Sequence, residues 1–337
     1  MKNESLPPFV QQMLRPETYP HKAEDVKLVQ THISYVFLAG EYVYKFKKPV
    51  DFGFLDFTSL EKRKFFCEQE LALNRRLCPE LYLGLVSIND NGGLALNGPG
   101  EAVEYGIRMA RMPEERMMGN VIKAGGLTRE HLDDIVALLV PFYQKAAAND
   151  EINGYGTAKS VSVNVLENFE QTESFVGSDA LSRERFDRIS QYAGNFLANE
   201  ALFNDRIKAG KIRECHGDLY SANICLADQV YIYDCIEFNK RFRFCDVASD
   251  VAFLAMDLDF HNLQQLSEYF IKTFIEQSAD AGLRTMLNFY KSYRAYVRGK
   301  IGLFTANAPE VDDATRKDAL LQARKYFALA EEYSAQG

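Results

Sequence analysis

The chain has 337 residues, 47% of them hydrophobic, with a formal net charge of −8 at pH 7 and a sequence pI of about 5.3. This length exceeds the usual size of one hydrophobic core, so two lobes are expected. The negative charge opposes binding to phosphate backbones and anionic lipid, and the sequence has no membrane-spanning stretch and no N-terminal signal core. We therefore expect a cytoplasmic protein with neither nucleic acid nor a membrane as its main partner.

The first third of the sequence predicts a small antiparallel sheet with one helix. The β-favouring runs lie at 26–30, 33–38, 42–46, 81–88 and 102–112. Thr58-Ser59-Leu60-Glu61 has the pattern of a capping box, and a helix is expected from Thr58 to about Leu77, before Pro79.

The remainder of the sequence predicts a mainly helical lobe. Pro113 marks a hinge at about 109–113, which gives an N-terminal lobe over 1–112 and a helical lobe over 113–337. Helical periodicity is expected over 128–148, 183–209 and 262–330. Residues 149–181 lack clear periodicity and contain three glycines, so an extended loop or insertion is expected there.

The six cysteines favour reduced, mostly buried thiols over disulfides or a metal site. They form no C-x-x-C pair and have no histidine cluster nearby. Their positions are Cys67, Cys78, Cys215, Cys225, Cys235 and Cys245.

The most informative segment is His216-Gly217-Asp218-Leu219-Tyr220-Ser221-Ala222-Asn223. An aspartate two residues after a histidine, with an asparagine five residues later, has the spacing of a kinase catalytic loop. Residues 230–234 then read as a strand that ends in a carboxylate, Asp234, where a kinase keeps a second metal ligand. Asp246 and Asp250 follow, one helical turn apart, before an apolar run.

On these motifs, residues 215–258 resemble the catalytic segment of the aminoglycoside phosphotransferase and choline kinase branch of the protein-kinase-like fold. Four short segments extend the resemblance to a bacterial group called aminoglycoside phosphotransferase family enzymes. They are Thr31-His32-Ile33-Ser34, Val43-Tyr44-Lys45, Ile236-Glu237-Phe238-Asn239 and Ala255-Met256-Asp257-Leu258. A looser match runs from about Thr31 to Arg298.

The resemblance implies an α+β, bilobal protein-kinase-like fold. Its N-lobe, residues 1–112, would be an antiparallel sheet plus one helix that binds the nucleotide, and its C-lobe would be larger and mainly helical. Some members of the group carry an additional P-loop kinase domain at the C-terminus, and the expectation here is a form without it.

The resemblance also implies an ATP- and Mg²⁺-dependent phosphotransferase that acts on a hydroxyl of an unidentified small molecule. Asp218 would be the catalytic base, and Asn223 and Asp234 would bind the metal. Lys45, held by Glu70, would contact the phosphates.

Other site residues are assigned supporting roles. His216, Asp246 and Asp250 are expected to support the scaffold, and Asp250 would brace the catalytic loop through backbone amides. Arg241 and Arg243 could bind an anionic substrate group, but a salt bridge to Asp246 is the favoured expectation.

The nucleotide contacts are less specific. Hydroxyls of Thr31 or Ser34 could contact phosphate in a loop that lacks the glycines of protein kinases. Adenine is expected to bind to the backbone of Met109, Ala110, Arg111 and Met112.

Several assignments have rivals. Lys47 lies on the same face of its strand as Lys45, although Lys47 and Lys48 could instead form a solvated basic edge. Glu61 and Glu68 compete with Glu70.

Glu237 has two possible roles. It could contact a second Mg²⁺ through water or anchor Asn239.

Three other functions remain open: an aminoglycoside O-phosphotransferase, a protein serine/threonine kinase and a nucleotide-binding pseudokinase. A protein kinase would need an activation segment, and the interval from Asp234 to Asp246 leaves little room for a long one. A pseudokinase usually lacks at least one of the residues that correspond to Lys45, Asp218, Asn223 and Asp234, and this sequence has all four. Acceptor-selecting residues are expected in 149–181 and in the C-terminal helices. The candidates on those helices are Tyr290, Tyr293, Arg294, Tyr296 and Arg298.

Overall fold

The structure is a computed structural model that describes residues 6–309 and 311–336. The strands are β1 (Val26–Gln30), β2 (Ser34–Ala39), β3 (Tyr42–Lys47), β4 (Tyr82–Asp90), β5 (Leu94–Leu96), β6 (Glu101–Ala110), β7 (Ile212–Glu214), β8 (Ile224–Leu226), β9 (Val230–Ile232) and β10 (Phe244–Asp246). The helices are α1 (Pro8–Met13), α2 (Leu60–Asn74), α3 (Met118–Lys123), α4 (Arg129–Lys145), α5 (Asp150–Gly154), α6 (Ala158–Thr172), α7 (Arg183–Leu197), α8 (Glu200–Lys208), α9 (Lys240–Arg243), α10 (Val247–Phe260), α11 (Gln264–Ser278), α12 (Leu283–Asn307) and α13 (Asp313–Ser334).

These elements form two compact units. Unit 1 consists of Met1–Met117 and Cys225–Lys240, and unit 2 consists of Met118–Ile224 and Arg241–Gly337. The division at 109–113 stays a prediction, and the compact units differ from it mainly in 225–240. This segment belongs to unit 1 because side chains of β8 and β9 share an apolar core with the end of α2 and with β4 and β6.

Unit 1 is built on a six-stranded antiparallel sheet in the order β1-β2-β3-β6-β4-β5. Alternate residues of a strand point to opposite faces, so Tyr44 and Phe46 join the apolar core that includes α1. Lys45 and Lys47 point to the other face, where β6 places Ile107 in a core with α2. β3 therefore presents two lysines toward the helix side of the sheet.

Helix α2 begins one residue later than the capping-box pattern predicts. Ser59, and not Thr58, is the N-cap, because its hydroxyl accepts from the amide of Lys62 at 3.2 Å. Thr58 instead donates its hydroxyl to Asp56. The buried stripe of α2 includes Cys67 and Glu70, so the helix carries one carboxylate into the interior of unit 1.

Unit 2 is mainly helical, as expected. Its central helix α10 is buried along almost its whole length, and α12 packs against both α10 and α13. Two short strands, β7 and β10, pair antiparallel at the start of α10. Together with the antiparallel sheet of unit 1, this architecture confirms the predicted mixed α and β class.

The expectation of an extended loop over 149–181 was wrong, because α5 and α6 occupy most of this segment. Side chains of Asn149 and Thr157 accept hydrogen bonds from amides three residues onward and so cap the two helices. Val165 and Phe169 are buried along α6. The β-branched residues and glycines concealed a helical pattern that tertiary packing stabilises.

Two further observations bear on the class of protein. In the part of the chain that the structure describes, no helix combines the length and apolar composition needed to cross a bilayer. All six cysteines are free, and five of them are buried while Cys245 is partly exposed.

Candidate active site

Lys45 lies at the centre of a charged cluster in unit 1. Its Nζ is 2.9 Å from Glu70 Oε1 and 2.6 Å from Asp234 Oδ1. The side chain of Lys45 is 17% exposed and that of Glu70 is fully buried, whereas that of Asp234 is 43% exposed. The structure thus brings together three predicted site residues from β3, α2 and the segment after β9.

Lys47 belongs to the same cluster. Its Nζ donates to Glu70 Oε2 at 2.8 Å and also to Glu237 Oε1, and its side chain is 1% exposed. The alternative that placed Lys47 on a solvated edge was therefore wrong. Glu68, a rival of Glu70, instead forms a surface pair with Lys64.

The surroundings of these groups set their charge states. Burial would lower the pKa of Lys45, but the carboxylates of Asp234, Glu70 and Glu237 outweigh it and hold that pKa well above its usual value. Burial would raise the pKa of Glu70, but Lys45 and Lys47 lower it to about 2. The cluster therefore keeps a charged ammonium beside a charged carboxylate near neutral pH.

Asp234 occupies a constrained backbone position. Its φ of 62° lies in the left-handed region, which is uncommon for a residue other than glycine. Its amide donates to the Tyr82 hydroxyl at 3.2 Å, and the next amide, of Cys235, donates to Asn74 Oδ1 at 2.8 Å. These two buried side chains fix the backbone that directs the Asp234 carboxylate.

In unit 2, a buried carboxylate holds the loop 216–223. Asp250 Oδ2 accepts from the amide of His216 at 2.7 Å, and its Oδ1 accepts from the amide of Gly217 at 3.0 Å. Arg294 donates to the carbonyl of Gly217 at 2.9 Å. With a φ of 88°, Gly217 adopts a conformation that a side chain would strain, and both polar groups of its backbone are bound.

The loop also has internal contacts. Asn223 Nδ2 donates to the backbone oxygen and to Oδ2 of Asp218, both at 2.9 Å. The amide of Asp218 donates to His216 Nδ1 at 3.3 Å. His216 is fully buried, whereas Asp218 is partly exposed, so the geometry suits a supporting histidine and an accessible carboxylate.

Sequence reasoning missed one anchor of this loop. Asp257 Oδ2 accepts from the amide of Ser221 at 3.0 Å. Asp250 and Asp257 are seven residues apart on α10 and therefore lie on the same face of the helix. The seven-residue spacing of these two aspartates was the sequence signal that could have identified Asp257 as a second anchor of the loop.

The residues predicted to bind Mg²⁺ have suitable chemistry. Mg²⁺ takes oxygen ligands and commonly uses one or two protein groups together with substrate phosphates. Asp234 offers a partly exposed carboxylate, and because Asn223 uses its NH₂ group on Asp218, its amide oxygen is the atom suited to a cation. Among the described residues, no group of three or more histidine, cysteine, aspartate or glutamate side chains could form an all-protein metal cage.

The predicted nucleotide contacts fit the structure only in part. Thr31 is exposed, and its hydroxyl accepts from the amide of Ser34 at 2.9 Å. Ser34 departs from the expectation, because it is 1% exposed and its hydroxyl is buried.

The backbone predicted to bind adenine is largely occupied. The amide of Ala110 donates to Leu81 at 2.9 Å, and that of Arg111 donates to Glu41 at 2.9 Å. Met109 lies within β6 and is 7% exposed. These two amides cannot also donate to adenine as they stand.

The predicted salt bridges of Asp246 were wrong. Arg241 pairs with Glu167 at 2.6 Å, and Arg243 pairs with Glu214 at 3.1 Å. Asp246 instead accepts two hydrogen bonds from Arg206, a buried partner on α8. The sequence could not reveal this pair, because its members are 40 residues apart.

The aromatic and basic cluster of α12 divides between core and loop contacts. Tyr290 and Tyr296 are buried, and the Tyr296 hydroxyl lies 2.6 Å from Thr172 Oγ1. Arg298 lies over the ring of Tyr220, 4.9 Å from its centroid. Arg298 therefore contacts a side chain of the loop 216–223, and Arg294 contacts its backbone at Gly217.

No family model matches the chain. Uncharacterized proteins of Mycobacterium bovis and Mycobacterium tuberculosis are each 34% identical to it over 292 residues, which cover 85% of this chain and 57% of theirs. The chain thus spans little more than half the length of these relatives.

A solved structure has the same architecture. The crystal structure of a choline/ethanolamine kinase family protein from Mesorhizobium loti matches 98% of this chain and 99% of its own, with a TM-score of 0.52 and 12% identity. At this identity the likeness shows the fold alone. The fold predicted from the sequence is confirmed, because this chain has the bilobal, protein-kinase-like fold of that structure.

Proposed function

We propose that this chain is an ATP- and Mg²⁺-dependent phosphotransferase that phosphorylates a hydroxyl group of a small molecule. One observation carries the proposal. Lys45 Nζ lies 2.9 Å from Oε1 of the buried Glu70 and 2.6 Å from Oδ1 of Asp234. The charged ammonium of Lys45 is therefore held between a buried carboxylate and a partly exposed one. A kinase uses this arrangement to position the phosphates of ATP.

The proposed chemistry divides between the units. In unit 1, Lys45 would neutralise phosphate oxygens while Glu70 holds it in place. In unit 2, Asp218 would accept the proton of the acceptor hydroxyl as that oxygen attacks the γ-phosphorus of ATP; the bond from this phosphorus to the β–γ bridging oxygen breaks, and ADP leaves. A Mg²⁺ ion, when bound through Asn223 and Asp234, would neutralise charge on the phosphates.

A small-molecule acceptor has the best support. The Mesorhizobium loti structure is described as a choline/ethanolamine kinase family protein, and such acceptors are small alcohols. The order of Asp218, Asn223 and Asp234 along the chain also follows the sequence resemblance to this branch. Which small molecule is phosphorylated is a question for experiment.

The first experiment measures phosphate transfer from γ-labelled ATP to a panel of sugars, amino alcohols, aminoglycosides and nucleosides. Transfer to one class identifies the acceptor, and transfer to aminoglycosides alone would favour an antibiotic-modifying enzyme. Labelling of added protein, with no small acceptor used, would favour a protein kinase. Mg²⁺-ATP binding without any transfer would favour a pseudokinase.

The variant Asp218→Asn tests the role of the catalytic base. We expect turnover to fall by about 10² to 10⁴, because the amide cannot accept the hydroxyl proton. Binding of Mg²⁺-ATP, followed by calorimetry, should stay close to that of the unmodified protein. Asp205→Asn is the control, since its side chain is 72% exposed on α8. Unchanged turnover in Asp218→Asn would refute the assignment.

A further inference from the structure

Glu70 binds two lysines, one through each carboxylate oxygen. Oε1 accepts from Lys45 at 2.9 Å and Oε2 accepts from Lys47 at 2.8 Å. The kinase template requires one lysine for this glutamate. The second lysine therefore needs a separate explanation.

Lys47 extends the cluster into a chain of alternating charges. The order of contacts is Asp234, Lys45, Glu70, Lys47 and Glu237. The last three side chains are 6% exposed or less. Removing one member of a buried ion pair leaves an uncompensated charge, so these three groups should be strongly interdependent.

The spacing of these charged residues means that their ion pairs connect the segment 234–237 to β3 at two points. Lys45 and Lys47 are two residues apart on one face of β3, and their partners Asp234 and Glu237 are three residues apart in one segment. Both ends of the segment 234–237 are therefore tied to β3. Glu70 lies between the two lysines and ties the same pair to α2.

We infer that Lys47 and Glu237 are positioning residues of the proposed nucleotide site. They hold Glu70 and the segment 234–237 where Lys45 and Asp234 can act on the phosphates. This inference rests on the proposed phosphotransferase function and deepens it. It assigns Glu237 to Lys47 and not to a metal ion.

The surroundings of Glu237 agree with this assignment. The side chain of Glu237 is 6% exposed, much less than the 43% of the Asp234 side chain. The side-chain amide of Asn239 donates to the carbonyl of Phe54 at 3.0 Å, which gives Asn239 an anchor of its own. The Lys47 ammonium also lies 4.8 Å from the centroid of the Phe57 ring, a further contact that fixes its position.

The test is a double-mutant cycle with Lys47→Met, Glu237→Gln and the double variant, and Lys48→Met as the adjacent control. Affinity for a non-hydrolysable ATP analogue with Mg²⁺ is measured by calorimetry on each variant that folds, at a temperature well below its unfolding midpoint. We expect Lys47→Met to weaken binding by about 10- to 100-fold, which is the usual effect of removing a residue that orients a metal ligand. Adding Glu237→Gln should restore part of this loss, because it removes the unpaired carboxylate.

The outcomes separate the two proposals. If the unmodified protein does not bind the nucleotide, the proposed function fails, and this inference with it. If it binds, but Glu237→Gln weakens binding by the same factor with and without Lys47, the two residues act independently and the inference alone is overturned. If Lys47→Met does not fold, recovery of folding and binding in the double variant supports the inference. A double variant that folds no better contradicts it.

Discussion

Asp250→Asn tests whether one buried carboxylate holds the loop 216–223. Asp250 is fully buried, and its two oxygens accept from the amides of His216 and Gly217 and from the Tyr143 hydroxyl, at 2.7, 3.0 and 3.1 Å. Asparagine has the same shape but only one acceptor oxygen. If this oxygen replaces Oδ2, the NH₂ group faces the amide of Gly217. Two N–H donors then lie opposite each other, and the amide of Gly217 loses its acceptor.

The expected loss follows from that geometry. A hydrogen bond to a charged group contributes about 1.5 to 3 kcal/mol, so Asp250→Asn should lower the free energy of unfolding by at least about 2 kcal/mol. Arg294, whose Nη2 is 3.7 Å from Asp250 Oδ1, also loses its counter-charge. Tyr143→Phe removes one hydroxyl and leaves both amides bound, so its loss should be smaller, about 1 kcal/mol.

The assay combines urea unfolding, followed by circular dichroism, with hydrogen exchange of the loop amides. Asp250→Asn should accelerate exchange at Gly217, whereas Tyr143→Phe should leave it nearly unchanged. Asp205→Asn is the exposed control and should change stability by less than about 0.5 kcal/mol. The reasoning is refuted if Asp250→Asn unfolds like the unmodified protein, or if Gly217 exchanges at its original rate.

Two further predictions concern buried charges. Arg206→Met leaves the buried Asp246 and Asp280 without their shared partner and should lower the free energy of unfolding by about 3 to 5 kcal/mol. Lys208→Met is the control, because the Lys208 side chain is 77% exposed, and it should lower this free energy by less than about 0.5 kcal/mol. Equal losses in urea unfolding would contradict this prediction. For Glu70, whose pKa is lowered from 4.5 to about 2, the stability contribution is fully present above about pH 4.5 and is lost as the pH falls toward 2. Glu70→Gln should therefore flatten the fall in unfolding free energy across this window, and an unchanged slope in denaturant titrations at several pH values would disprove the assignment.

Local patterns along the chain were sufficient to predict several elements. The β-favouring run at 26–30 coincides with β1, and 42–46 lies within β3. The period of two in β3 placed Lys45 and Lys47 on one face, as the structure has them. These predictions succeed because they depend on neighbouring residues and on backbone geometry.

Local signals also misled where two readings competed. Thr58 and Ser59 are adjacent N-cap residues, and the fold selects Ser59 because its backbone is extended where α2 begins. Residues 149–181 contain good caps but weak periodicity, and the helix α6 became evident only with its packed face. Intrinsic helix propensity contributes too little free energy to decide such cases without tertiary contacts.

The sequence alone determined the spacing of Asp218, Asn223 and Asp234 and predicted single elements such as β1 and β3, because these features are local. The tertiary structure decided which buried charges pair. Glu70 with Lys47 and Asp246 with Arg206 are pairs that the sequence did not reveal, and they join segments 23 and 40 residues apart. The physical reason is that a buried charge is tolerated only beside a partner, and folding determines which distant segments can supply one.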